Sequence, residues 1–151
     1  MEGARSDTGS SSDDRKLRGF WRSVWMISVP HKVLHFAWRV CRDILPTKEK
    51  LMRRKVLQED WCEECKAESE TTVHLFWRFP RAQEVWQHIK LLFSFDPCTI
   101  SSFLDLMWNL MVLSEYVEEK VAMVVTVAWA IWVNRNEFRN GKRKKTGRDI
   151  V

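Results

Sequence analysis

Residues Ser28–Arg42, SVPHKVLHFAWRVCR, read as a helix with one apolar face. Ser28 offers a capping hydroxyl. Pro30 falls where a first helical turn tolerates it, because the N–H it lacks would have had no intrahelical partner there. Val33, Phe36, Ala37 and Val40 then recur at helical spacing and form one apolar stripe. Pro46 ends the run, and Thr47 can cap a second short helix through Lys55. The same pattern repeats downstream. Pro80 opens a helix toward Phe93 with Val85, Trp86, Ile89 and Leu92 on one face. Ser102 and Asp105 stand three apart as a capping pair ahead of Leu106, Leu110 and Leu113. A last helix is expected from about Glu115 to Arg139.

Glycine occurs only at positions 3, 9, 19, 141 and 147, so none lies between residues 20 and 140. That excludes a glycine-rich phosphate loop in this region and removes the commonest residue of tight hairpins. Both facts favour helix. The expected fold is mainly α: a small helical domain with a Cys/His loop and a long C-terminal helix. Its 151 residues suit one domain, large enough to bury a core without disulfide staples. Residues 1–19, opening in Ser, Gly and Asp with no apolar run, are expected to be disordered. A folded domain follows over 20–93, with a loop or short extended piece from about Leu57 to Phe79. A helical extension covers 94–140 and a basic tail 141–151. There is no internal repeat at a fixed period.

Charge is unevenly placed. Between Asn134 and Val151 seven basic residues face two acidic ones, which accounts for the whole net charge of +5. A neutral body with a basic tail suggests an electrostatic arm and not a basic binding face. The longest apolar run, Val121–Val133, is interrupted only by Thr126 and falls short of the roughly 20 residues a membrane helix needs. It reads as a buried core helix, and no membrane association is expected. The N-terminus is not a signal peptide, so the expected location is intracellular, nuclear or cytoplasmic, and not secreted. In that reducing setting Cys41, Cys62, Cys65 and Cys98 are not expected to form disulfides.

One cluster carries chemistry. Cys62-Glu63-Glu64-Cys65 is followed nine residues later by His74. Two thiolates from a single turn and a distant imidazole suit tetrahedral zinc, which takes four such ligands in a structural site. A redox dithiol would share the pair, but no βαβ pattern surrounds it, and two acidic residues between the cysteines would raise the thiol pKa and blunt reactivity. Two unrelated thiols and a surface histidine are the bland alternative.

Residues 25–86 resemble the zinc-binding domain of plant non-LTR retrotransposon reverse transcriptases. The resemblance rests on Trp25, Val29-Pro30-His31-Lys32-Val33, His35-Phe36-Ala37-Trp38-Arg39, Leu45-Pro46-Thr47, and Leu51 with Arg53-Arg54. It continues through Cys62-x-x-Cys65, Glu70, His74-Leu75-Phe76 and Ala82-x-x-Val85-Trp86. Trp129-Ala130-Ile131-Trp132 with Arg135-Asn136 is similar to the helical connector that precedes a ribonuclease H domain in such elements. The resemblance implies zinc held by Cys62, Cys65 and His74. It also implies a fourth ligand, a Cys five residues after the His. That position is Phe79, which cannot bind metal. Zinc binding is therefore expected to be weakened or lost, with water, Cys98, His88 or Asp60 as substitutes for the missing ligand.

Other features are weaker. His31 and His35 stand four apart as in zinc proteases, but Lys32 occupies the place of the general base. Tyr116-Val117-Glu118-Glu119 lacks the companion aspartate of a polymerase. Cys41 reads as a core thiol. Trp25, Trp38, Trp86, Trp129 and Trp132 read as core packing before base stacking. No nucleophile, base and oxyanion set is present, so no catalytic residue and no small-molecule substrate is expected. The expected function is a non-catalytic, retrotransposon-derived zinc-binding-like module that associates with RNA or DNA through its basic tail. The alternative is a degenerate remnant or protein-interaction domain with neither ligand.

Overall fold

Helix α1 spans Ser10–Trp25 in the computed structural model, which describes residues 10–89, 100–113 and 118–141. Composition alone marks residues 1–19 as disordered; helix instead begins at Ser10. The reason lies in the second half of α1. Phe20 and Val24 are buried one helical turn apart, with Ile27 just beyond, so the polar first half extends from an anchored nucleus. Asp13 in the first turn complements the helix dipole.

Helix α2 (His31–Cys41) buries Val33, Phe36, Ala37 and Val40, the stripe its spacing predicts, together with Leu34 and Cys41. Pro30 takes the N-cap position, and no side chain caps this end. Asp43 adopts a left-handed φ of 55° past the helix, where its N–H bonds Val40 O and that of Ile44 bonds Arg39 O. Helix α3 (Lys48–Arg53) closes the same way, with Lys55 at φ 58°. Its Lys55 and Val56 N–H groups reach Met52 and Leu51. Both ends are Schellman caps, a role that glycine usually fills. The scarcity of glycine therefore did not remove left-handed turns; polar residues took them.

The region expected as loop from Leu57 to Phe79 has more structure than its composition suggests. An isolated antiparallel bridge joins Trp61 to Ser69, and no strand occurs among the described residues. A π-helical turn, π1, spans His74–Arg78 and is closed by the i+5 bond from Phe79 N to His74 O at 2.7 Å. Its wide turn places His74, Leu75, Phe76 and Trp77 inside together. Helix α4 (Pro80–Ile89) follows. Trp86 stacks on Trp77 at 4.9 Å, and its indole N–H donates to Phe76 O at 2.8 Å. Phe76 bridges α2 and α5, with ring centroids 5.9 Å from Phe36 and 5.6 Å from Phe103.

Helix α5 (Phe103–Trp108) starts as its capping pair requires, with Asp105 N–H donating to Ser102 Oγ at 3.1 Å. A second π-helical turn, π2, covers Asn109–Leu113. Helix α6 (Glu118–Arg139) buries Val121, Val124, Val125, Ala128, Ile131, Trp132 and Arg135 along one stripe, while Met123 faces outward. The apolar run is thus a core helix packed against α2. No described helix is long and apolar enough to cross a membrane. Cys98, Tyr116, Leu92 and the tail from Lys142 lie outside the described residues.

Candidate metal centre

The metal loop is a hairpin pinned by backbone bonds. Glu70 N–H reaches Asp60 O at 2.7 Å and Cys62 N–H reaches Glu68 O at 2.9 Å. At its tip Lys66 N–H bonds back to Cys62 O, and Lys66 takes a left-handed φ of 53°. That tight turn brings Cys62 and Cys65 to one side. Ala67 N–H points at Cys65 Sγ at 3.5 Å. Thr71 then accepts the N–H of His74 on its hydroxyl at 3.0 Å, and π1 carries the imidazole inward to meet the two thiols.

The three candidate donors converge. One ligand atom from each of Cys62, Cys65 and His74 lies within 4.8 Å of the others. Cys65 Sγ and His74 Nε2 are 3.5 Å apart. Zinc bonds of about 2.3 Å to sulfur and about 2.0 Å to nitrogen, at a tetrahedral angle, put those two atoms roughly 3.5 Å apart. The donor set therefore fits zinc. Burial pushes the Cys62 thiol above its ordinary pKa. The backbone N–H groups of Cys65 and Glu64 pull against that shift, and the Cys65 sulfur adds to it. Cys41 lies outside the cluster, buried in the core, where loss of solvent raises its thiol to about 12.

A residue that spacing did not single out orients the imidazole. Glu68 Oε2 lies 3.1 Å from His74 Nδ1. In the tautomer with the proton on Nδ1, Nε2 turns its lone pair to the sulfurs, the arrangement that ligating histidines adopt. Three nearby carboxylates are engaged: Glu63 with Lys48 at 3.2 Å, Glu64 with Arg81 at 2.6 Å, and Asp60 with the Ser69 hydroxyl at 2.6 Å, while Glu59 is exposed. His88 is exposed and faces Glu84, four residues earlier. Phe79 is buried with its ring centroid 5.7 Å from that of His74. Trp77, meanwhile, stacks on Trp86.

Behind the loop lies a buried ion pair. Arg135 of α6 donates from Nε to Glu70 Oε2 at 3.1 Å and from Nη2 to Glu70 Oε1. Glu70 Oε1 also accepts Lys48 N–H at 3.0 Å. Arg135 rests over the Trp132 ring at 4.8 Å. Glu70 and Arg135 each belong to the resemblance, but their pairing across the chain has no local sequence signature.

Fold, loop and donor set define a helical protein with a clustered Cys/Cys/His donor set. The chain belongs to the family described as zinc-binding in reverse transcriptase, whose model matches residues 10–86. It is also similar to an Arabidopsis thaliana protein named "Putative ribonuclease H protein", with 26% identity over 73 residues. That alignment takes in 48% of this chain and 12% of the Arabidopsis protein, so the chain spans only a small part of its relative. No solved structure matches.

Proposed function

We propose that the chain is a non-catalytic module, derived from a retrotransposon reverse transcriptase, that binds zinc weakly and associates with nucleic acid. The observation that carries this reading is the convergence of Cys62, Cys65 and His74 at zinc spacing. These three residues would hold the ion. Bound there, zinc would supply a cross-link between the hairpin and π1. Phe79, the position at which the family resemblance implies a fourth thiolate, offers no ligand.

The non-catalytic part of the reading is supported by the engaged carboxylates. A three-ligand zinc could activate water, but that chemistry needs a general base beside it. Glu68 is occupied in orienting His74, and Glu63 and Glu64 are held by Lys48 and Arg81. The nucleic-acid part draws support from the family description and from the name of the Arabidopsis relative, both of which belong to reverse transcription and its products. The reading also places the chain inside the cell, where reduced thiols remain available to a metal.

The test is metal analysis of full-length protein purified without chelator, alongside oligonucleotide binding across a salt series. Zinc bound at up to one ion per chain, with binding that weakens steeply as salt rises, is the expected result. Protein that takes up no zinc and binds no oligonucleotide at low salt would return the chain to a remnant without ligands.

A further inference from the structure

The neutral body conceals a separation of charge. Residues 10–43, covering α1 and α2, hold seven basic residues against three acidic ones, whereas residues 44–133 hold ten against thirteen. The cations also differ in how they are used. Around the metal loop and α3 several are neutralised, Lys48 by Glu63, Arg53 by Glu49, Arg81 by Glu64 and Arg135 by Glu70, while Arg54, Lys55, Lys66 and Arg78 stand exposed but form no single helical stripe. On α1 and α2 the arginines Arg15, Arg18, Arg22 and Arg39 are exposed, and no carboxylate among the described residues pairs with them.

Helical spacing gathers these charges. Arg15, Arg18, Arg22 and Trp25 fall on one stripe of α1, within about a quarter of the helix circumference at 3.6 residues per turn. His31, His35, Arg39 and Arg42 fall on one stripe of α2 by the same spacing. The two stripes meet at an aromatic junction. The Trp25 ring lies 5.7 Å from His35 and 6.5 Å from His31, and the two imidazoles are 4.7 Å apart. Trp25 is 39% exposed, against the core packing its type suggests, and both histidines are exposed. Arg42 stacks over Trp38 at 5.7 Å. The acidic residues that α1 and α2 themselves carry are Asp13 and Asp14, in the opening turns of α1.

We propose that this α1–α2 face is a docking surface for single-stranded nucleic acid, with the arginine stripes holding phosphates and the Trp25–His31–His35 junction stacking against bases. The proposal rests on the nucleic-acid reading above and gives it a location in the folded body, separate from the tail. Charge complementarity selects a polyanion, since no carboxylate among the described residues forms an ion pair with these guanidinium groups. Exposed rings between the cations select unstacked bases, because flat aromatic surfaces gain from stacking only where bases are free to meet them. Each stripe is about 15 Å long at 1.5 Å per residue, enough to follow a short run of backbone.

The experiment is fluorescence anisotropy of a labelled oligothymidylate with full-length protein across a salt series. The triple variant Arg18→Gln, Arg22→Gln, Arg39→Gln should bind at least tenfold more weakly. Its log–log salt slope should fall by about 2, at roughly 0.7 per lost single-strand phosphate contact. Lysine at the same three positions should keep the slope. Trp25→Leu should weaken binding with the slope unchanged, and the paired, exposed Arg53→Gln should do neither. Circular dichroism and zinc content confirm that each variant folds. If wild-type protein binds but the Gln triple binds equally with the same slope, this face is not the site and only this inference fails. Absence of wild-type binding at low salt removes the broader reading as well. Tighter binding to duplex, or binding to anionic lipid vesicles without oligonucleotide binding, would also overturn the proposal.

Discussion

The guanidinium of Arg135 lies side-on against the carboxylate of Glu70, two parallel donors meeting two acceptors, 65 positions apart in the sequence and with both side chains almost wholly buried. The pair joins α6 to the base of the metal loop. Removing one partner strands the other charge out of water, a loss of about 3–5 kcal/mol. Arg135→Ala should therefore lower the urea midpoint sharply, and Glu70→Ala should do at least as much, because it also strips the acceptor from Lys48 N–H. The double substitution should cost clearly less than the sum. Strict additivity in this cycle would mean that the two residues do not act as a pair.

Phe79 stands beside His74 at the position expected for the missing thiolate. Phe79→Cys should raise zinc affinity by orders of magnitude. Zinc should then raise the melting temperature, since a ligand bound only by the folded state stabilises it by mass action. Without zinc the variant should be less stable than wild type, because truncating a buried aromatic side chain costs about 3–5 kcal/mol. Isothermal titration and thermal melts with and without zinc check both halves. A variant that loses stability yet gains no affinity shows that position 79 does not face the ion.

Glu68 holds the imidazole through Nδ1. Glu68→Ala should weaken zinc binding by about 10–100-fold, the usual loss when such a partner is removed. It should leave metal-free stability nearly unchanged, because the Glu68 side chain is 56% exposed. Glu68→Gln, which keeps an acceptor oxygen, should recover most of the affinity. Equal affinities across all three proteins would remove Glu68 from the metal centre.

The raised pKa of Cys62 sets a pH dependence. Near neutral pH the thiol keeps its proton in the metal-free protein, and zinc must displace it. Affinity should climb with pH, by up to about tenfold per unit for each proton released, until the raised pKa is passed. The metal-free fold follows the opposite sign. Buried neutral thiols support it below the ordinary thiol range, and that support fades as pH rises through the shifted values, about 12 for Cys41. Zinc affinity measured in a buffered chelator series from pH 6 to 8, if flat, would rule out proton competition.

Much of this was readable from residues near one another in sequence. Val33, Phe36, Ala37 and Val40 lie inside, Ser102 caps α5, and Cys62, Cys65 and His74 come together. What escaped depends on distant or unusual geometry. Helix α1 begins in Ser and Asp and draws its order from Phe20 and Val24, so its composition alone looks unfolded. The π1 turn rests on one i+5 bond that no residue type encodes. Glu70 and Arg135 read separately as family landmarks, and nothing local announces that one neutralises the other. The charge on α1 and α2 was hidden because a sum over the body cancels it against the acidic middle of the chain.

The Glu70–Arg135 pair also bears on inheritance. The shared stretch that identifies the family ends at residue 86, yet the counter-ion for its buried carboxylate sits well beyond that limit. A copy of residues 10–86 transplanted into another protein would carry Glu70 without its guanidinium. The recombinant would have to supply a cation, bring α6 along, or lose the acid. The shared stretch is thus smaller than the buried unit it belongs to: α5, π2 and α6 all lie beyond it, and α6 alone carries the counter-ion.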